Sequence, residues 1–123
     1  MSTCKSFAPI VDEHSRILIL GSMPGIKSLE QQEYYAHPQN RFWRLLALLL
    51  NEDVPQNYAV KQALLHKHHL ALWDTLGYCE RDGSLDSNIK NEAPNAVVEL
   101  VSELPHLQAV VCNGGKAAAA FKK

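Results

Sequence analysis

The stretch Ile17-Leu18-Ile19-Leu20, entered from Arg16 and broken off at Gly21-Ser22-Met23-Pro24-Gly25, limits what this chain can become more than any other. Consecutive apolar, β-compatible side chains without a polar alternate suit a strand buried on both faces, which is how a parallel sheet covered by helices reads. The glycines and proline then end the strand in a turn. Further along, Pro38 to Leu50 carries apolar residues on nearly all sides, with Pro38 suited to a first turn and Asn51 to a stop, and predicts a deeply buried helix. A helix over Tyr58 to His66, a strand over His69 to Trp73, a long loop over Tyr78 to Asn95, a helix over Pro94 to Leu104 and a strand over Leu107 to Cys112 follow. A last helix begins at Lys116 in the run of alanines. The alternation predicts an α/β fold with a short parallel sheet and helices on both faces, where ligands sit beyond the carboxyl ends of the strands. Three such ends are readable: Gly21 to Gly25, Trp73-Asp74 and Asn113-Gly114.

With 123 residues, of which 46% are hydrophobic and 20% charged, the chain is read as one globular domain over 1–123. The 12 Lys and Arg against 13 Asp and Glu give a net charge of −1, so a polyanion must be met by a local patch rather than by overall charge. Cys4, Cys79 and Cys112 are far apart in sequence and form no C-x-x-C pair, which argues against a disulfide framework or a cysteine-only metal site and for a reducing compartment. His66, His68 and His69 have no neighbouring carboxylate or cysteine in sequence to complete a metal set, so no metal is expected. The longest apolar stretch, Leu45 to Leu50, is too short to span a bilayer, and the N-terminus lacks a run of signal-peptide length. A cytoplasmic protein with no membrane partner is expected.

The turn Gly21-Ser22-Met23-Pro24-Gly25 is rigid, and its glycines let backbone approach a ligand closely. It lacks the G-x-x-x-x-G-K-[ST] and G-x-G-x-x-G patterns, so it is not a phosphate loop of either kind. By itself such a turn serves structure more often than binding.

Three separated segments give it context: Gly21 to Trp43, Ala71 to Asn95 and Val110 to Phe121. Each meets a predicted strand end, and together, in this order, they resemble the uracil-DNA glycosylase superfamily, most closely its hypoxanthine- (deoxyinosine-) DNA glycosylase branch. The resemblance implies a three-layer α/β/α sandwich and the removal of a deaminated base, hypoxanthine or uracil, from double-stranded DNA with neither metal nor cofactor. Cleaving the N-glycosidic bond passes through an oxocarbenium-like state while the base leaves as an anion. The site must therefore position a water, supply donors to the base oxygen and accept a flipped nucleotide.

Where the mismatch-specific uracil branch has an asparagine in the turn, this chain has Met23, whose thioether cannot orient water. The resemblance assigns the catalytic carboxamide to Asn40; spacing alone leaves it equally open as a helix-end residue. Gly21, Ser22, Met23, Pro24 and Gly25 form the implied pocket wall, with His37 a candidate donor to the base. Tyr34 and Tyr35 offer flat faces for stacking, Tyr35 being favoured, and Asn113 matches the family position that reads a base edge. Lys27, Ser87, Asn88 and Lys90 are the implied contacts to the DNA backbone, and Arg41 and Lys116 could extend the basic patch. Asp74 is read as a residue that orients a neighbouring backbone amide or, the plainer role, accepts from one as a helix cap. The family's Ser-Pro loop and fourth strand have no counterpart here, so the resemblance implies a domain incomplete at its C-terminus. It leaves open a relative that binds a nucleotide or DNA without cleaving it.

Overall fold

The computed structural model describes residues 2–23, 26–31, 33–36, 41–81, 89–114 and 116–118. In chain order the elements are β1 (Ser2–Lys5), β2 (Ile17–Gly21), α1 (Ile26–Gln31), α2 (Phe42–Leu49), α3 (Tyr58–Lys67), β3 (Leu70–Asp74), β4 (Leu76–Arg81), β5 (Lys90–Pro94), α4 (Val97–Ser102) and β6 (Ala109–Cys112).

The apolar run of β2 becomes the centre of a parallel sheet of order β3-β2-β6, with Ile17 opposite both Leu70 and Ala109 and Leu20 opposite both Trp73 and Cys112. Strand alternation divides its side chains between two cores. Ile17 and Ile19, with Leu70 and Leu72 of β3, pack on Trp43 and Leu46 of α2 and Leu65 of α3. Leu18 and Leu20, with Ala71, meet Val97, Leu100 and Val101 of α4 on the opposite face. The three-layer α/β/α arrangement with a short parallel sheet is therefore present. Leu18, Leu20, Leu65 and Leu72 are fully buried, each side chain contributing about 1.5–3 kcal/mol of hydrophobic stabilisation.

The strand order also places the site. Because β3 and β6 flank β2 on opposite sides, right-handed crossovers put α2 and α3 on one face and α4 on the other. That order puts the topological switch point, beside which ligands bind in open α/β sheets, at the carboxyl end of β2.

Four expectations are corrected. The stretch Tyr78 to Asn95 is not one long loop: β4 pairs antiparallel with both β1 and β5 in a second sheet of order β1-β4-β5. Bulges at Leu76/Tyr78 and Tyr78/Glu80 break the alternation that would have marked β4 as a strand. Pro94 ends β5 rather than opening a helix, and α4 starts at Val97 with Ala96 as its N-cap. Helix α2 starts at Phe42, four residues after Pro38, with Arg41 as N-cap. Nor is α2 deeply buried: Trp43, Leu46 and Ala47 face the sheet at i, i+3, i+4 spacing, whereas Leu48 and Leu49 are 76% and 82% exposed. An apolar groove of about 590 Å³ lies between α2 and β6, lined among others by Phe42, Leu45, Leu49 and Val111.

Candidate functional site

Strand β2 does not stop cleanly at Gly21. Thr75 N–H donates to Gly21 O at 2.8 Å and Leu76 N–H to Ser22 O at 3.1 Å, so the parallel ladder runs on while the chain bends from β3 into β4. On the other side, Asn113 N–H donates to Leu20 O at 2.7 Å. The three strand ends are thereby held side by side around Gly21. Asn95 fastens the bend, its Nδ2 donating to Asp74 O at 2.9 Å and Leu76 O at 3.2 Å. Gly77 leaves the room for that contact, since a β-carbon there would stand 2.5 Å from Asn95 Oδ1.

Above Gly21 the packing is closer still. A β-carbon on Gly21 would lie 2.6 Å from Asp74 Oδ1 and 3.0 Å from Tyr35 Oη, so a glycine is required for these two groups to close over the strand end. Asp74 is 3% exposed, and its Oδ2 accepts a hydrogen bond from Ser6 Oγ at 2.9 Å. A carboxylate this deeply buried needs such donors. In this bond Asp74 thus meets a hydroxyl rather than a backbone amide or a helix end. The loop after β1 delivers Ser6 to it, a partnership that a separation of 68 residues hides from the sequence.

Tyr35 sits in the left-handed region at φ 55, a conformation that costs a non-glycine residue about 1–3 kcal/mol unless its surroundings enforce it. Its ring stacks on Phe42 at 3.9 Å between centroids, and its hydroxyl accepts from Asn113 Nδ2 at 3.1 Å. The flanking backbone is pinned too. Ala36 N–H donates to Ser28 Oγ at 2.9 Å, and the indole N–H of Trp43, at the start of α2, donates to Tyr34 O at 3.0 Å. One face of the Tyr35 ring is therefore already occupied by Phe42. Tyr34, its neighbour, is a core residue with an edge-on contact to Phe7, and its backbone N–H donates to the Tyr58 hydroxyl at 3.2 Å. Burial, followed by the negative charge of Asp74, raises the pKa of the Tyr34 hydroxyl far above that of an ordinary tyrosine.

The structure thus brings Gly21, Ser22, Tyr35 and Asn113 together with Asp74 at the carboxyl ends of β2, β3 and β6. Ser22 is buried within the turn, and Met23 turns into a small core with Leu76 and Cys79. Pro24, Gly25, His37, Asn40, Ser87 and Asn88 lie outside the described residues, as does the side chain of Lys27 on α1. Lys90 is exposed on β5, opposite Glu80 of β4. Lys116 is half-buried and donates to Glu92 Oε1 at 2.6 Å, so its charge is committed within the protein. Of the histidines, His66 faces Asp12 at 3.1 Å and His68 shares Glu52 with Lys67, and among the described residues no group of three metal-binding side chains is assembled. Among those residues no helix is long and apolar enough to cross a membrane.

Comparison with known proteins gives this arrangement its lineage. Residues 8–123 match the family model of the uracil DNA glycosylase superfamily. A protein of Methanosarcina barkeri named hypoxanthine DNA glycosylase is 40% identical over 113 residues, which cover 91% of this chain and 72% of that protein. A Methanosarcina acetivorans protein of the same name is 37% identical over 114 residues, covering 92% of this chain and 72% of its own. The solution NMR structure of a Methanosarcina acetivorans protein, provisionally named a uracil DNA glycosylase, superposes with a TM-score of 0.88 at 34% identity, covering 98% of this chain and 76% of that one. A glycine-bounded strand end closed over by Asp74, Tyr35 and Asn113, in a chain that matches the family model almost throughout, has one consistent assignment: the chain belongs to the uracil DNA glycosylase superfamily.

Proposed function

We propose that this chain is a monofunctional DNA glycosylase that hydrolyses the N-glycosidic bond of a deaminated base in double-stranded DNA, hypoxanthine in preference to uracil, as the first step of base-excision repair. The observation that carries this reading is the 40% identity, over 91% of the chain, to a protein named hypoxanthine DNA glycosylase. The strand-end cluster supplies what the chemistry needs. The departing base gains negative charge on its oxygen, and the amides of the turn that follows β2 are assigned as its donors. Tyr35 holds the Asn113 carboxamide by accepting from Nδ2, and Oδ1 is assigned as the acceptor for the base edge. An acceptor suits the lactam N–H of hypoxanthine or uracil and repels the ring nitrogen that adenine presents in its place.

Asn40 is assigned the water. It lies in the segment joining Tyr35 to Phe42, two rings stacked on each other beside the strand ends. Its carboxamide oxygen would hold the water toward the anomeric carbon as the sugar acquires positive charge. His37, with Pro24, Gly25 and Met23, completes the pocket wall, and Lys27, Ser87, Asn88 and Lys90 bind phosphates. The reaction is assigned no metal or cofactor, and the protein is placed in the cytoplasm with the DNA.

The test is excision from duplex oligonucleotides containing a single inosine, uracil or xanthine, run in EDTA and read by strand cleavage after alkali. Excision fastest on inosine is expected, with Asn40→Ala slower by about 10²- to 10³-fold at unchanged circular dichroism. Excision by Asn40→Ala at the parent rate removes the assigned role of the carboxamide. Failure of the parent chain to excise any of the three bases removes the enzyme.

A further inference from the structure

The pairing of β6 with β2 stops abruptly at Asn113. Its N–H still donates to Leu20 O at 2.7 Å, but among the described residues the next peptide, Asn113 C=O with Gly114 N–H, takes no hydrogen bond at either end. Both residues are exposed. Gly114 stands at φ 102, and a β-carbon placed on it would meet nothing within 4 Å, so this peptide has room to turn. Of the seven asparagines in the chain, Asn113 alone is followed by glycine. A backbone nitrogen that no hydrogen bond occupies and no side chain shields therefore adjoins a side-chain amide carbon, and joining the two closes a five-membered ring.

We infer that Asn113 and Gly114 form a self-modification site, at which water exchanges the side-chain amide for a carboxylate. The Gly114 nitrogen, giving its proton to hydroxide, attacks Asn113 Cγ; the Cγ–Nδ2 bond breaks and ammonia leaves, which yields a cyclic imide. Water then opens the imide at either carbonyl. Opening at Cγ leaves aspartate on the ordinary main chain, and opening at the main-chain carbonyl reroutes the chain through the side chain as isoaspartate. In sum one amide and one water become one carboxylate and one ammonium ion, with nothing oxidised or reduced. Asparagine is counted among the thermolabile residues.

The exchange falls on a residue of the candidate site. Tyr35 Oη accepts from Asn113 Nδ2 at 3.1 Å. A carboxylate only accepts, so the product loses that donor and adds negative charge to strand ends that already hold the buried Asp74. Where a base departs as an anion, such charge opposes it. That last effect rests on the proposed glycosylase reading, whereas the modification itself goes beyond it and does not.

The experiment ages the purified chain in warm, mildly alkaline buffer, native in one series and unfolded in guanidinium chloride in another, and reads intact mass. Each modified site adds about 1 Da. Trypsin then releases the peptide from Asn91 to Lys116, whose fragments report Asn91, Asn95 and Asn113 separately, Asn95 being fastened by two bonds. The native chain is expected to gain mass at Asn113 first, as a mixture of aspartate and isoaspartate, at a rate within about 10-fold of the unfolded chain and faster as pH rises. Asn113→Gln and Gly114→Ala should each stay unmodified over the same time. On a chain that excises inosine, the modified fraction, separated by anion exchange, should work about 10-fold or more slowly. Undiminished excision by that fraction would remove the stated effect on the site. A native chain that stays intact while the unfolded one reacts, mass gained first at another asparagine, or an undiminished rate in Gly114→Ala would each overturn the inference. Mass is read whether or not the chain excises any base, so failure of the proposed activity is told apart from failure of the modification.

Discussion

Replacing Gly21 with alanine tests whether the strand end is closed as tightly as its distances indicate. The added methyl group would stand 2.6 Å from Asp74 Oδ1 and 3.0 Å from Tyr35 Oη, where ordinary contact begins at 3.4 Å. The carboxylate must retreat by about 0.8 Å and the hydroxyl by about 0.4 Å to restore contact distances. Neither group moves alone. Withdrawal stretches the Ser6–Asp74 bond from 2.9 Å and the Asn113–Tyr35 bond from 3.1 Å. Overpacking of this kind costs about 1–3 kcal/mol, and losing a hydrogen bond to a buried charged group about 1.5–3 kcal/mol. Since relaxation trades one against the other, Gly21→Ala should destabilise the chain by about 2–4 kcal/mol, a fall of about 10 °C in thermal midpoint for a domain of this size. Urea unfolding measures the first figure and a calorimetric scan the second. The mechanism has its own signature: with Asp74→Ala in the background, the methyl group has room, so the two substitutions should couple by more than about 1 kcal/mol. A Gly21→Ala chain within about 0.5 kcal/mol of the parent, or additive effects in the double variant, would refute the reasoning.

Two further outcomes concern pH. Burial raises the pKa of both Tyr34 and Tyr58 above 10.0, so the unfolded chain loses these protons first, and their contribution is full below pH 10.0 and lost as pH rises beyond it. Tyr34→Phe should cost about 0.5–1.5 kcal/mol at neutral pH, for the bond to Ala8 O, and give a flatter stability profile in alkali, followed by urea midpoints. A Tyr34→Phe profile that falls as steeply as the parent's would count against this. Glu52, hydrogen-bonded by Lys67 and then by His68, has a carboxyl pKa below the ordinary 4.5. Its stabilising effect is present above pH 4.5 and fades as pH falls through the lower folded value, so the urea midpoints of Glu52→Gln and the parent should converge in acid and separate at neutrality.

The parts of the fold that were legible in the sequence are those whose burial writes a local pattern. Ile17 to Leu20 is apolar at every position because helices cover both of its faces. The second sheet leaves no such pattern. Its strands carry Glu80, Arg81, Lys90 and Glu92, it buries Arg81 almost completely, and its bulges shift the alternation, so period and polarity both speak for a loop. Helix α2 misled in the other direction. Leu45, Leu48 and Leu49 are as apolar as its packed residues, and sequence cannot say that the sheet lies under only one side of the helix.

The same distinction holds within the candidate site. Gly21 and Asn113 could be located because strand ends announce themselves locally through turn residues. Asp74 and Ser6 could not be joined, nor the hydroxyl of Tyr35 to Asn113, because these bonds span 68 and 78 residues and involve side chains common on any surface. What ties the far-flung parts together is the strained backbone of Tyr35. A left-handed tyrosine persists only when several independent contacts each oppose its relaxation, and here they come from α1 through Ser28, from α2 through Phe42 and Trp43, and from the end of β6 through Asn113. The cost of holding this one residue is thus spread over three elements that are otherwise separate. A site assembled in this way is rigid in the folded chain, because relaxing Tyr35 requires those contacts to give way together, and preorganised donors and acceptors of that kind are what the proposed departure of a base anion needs.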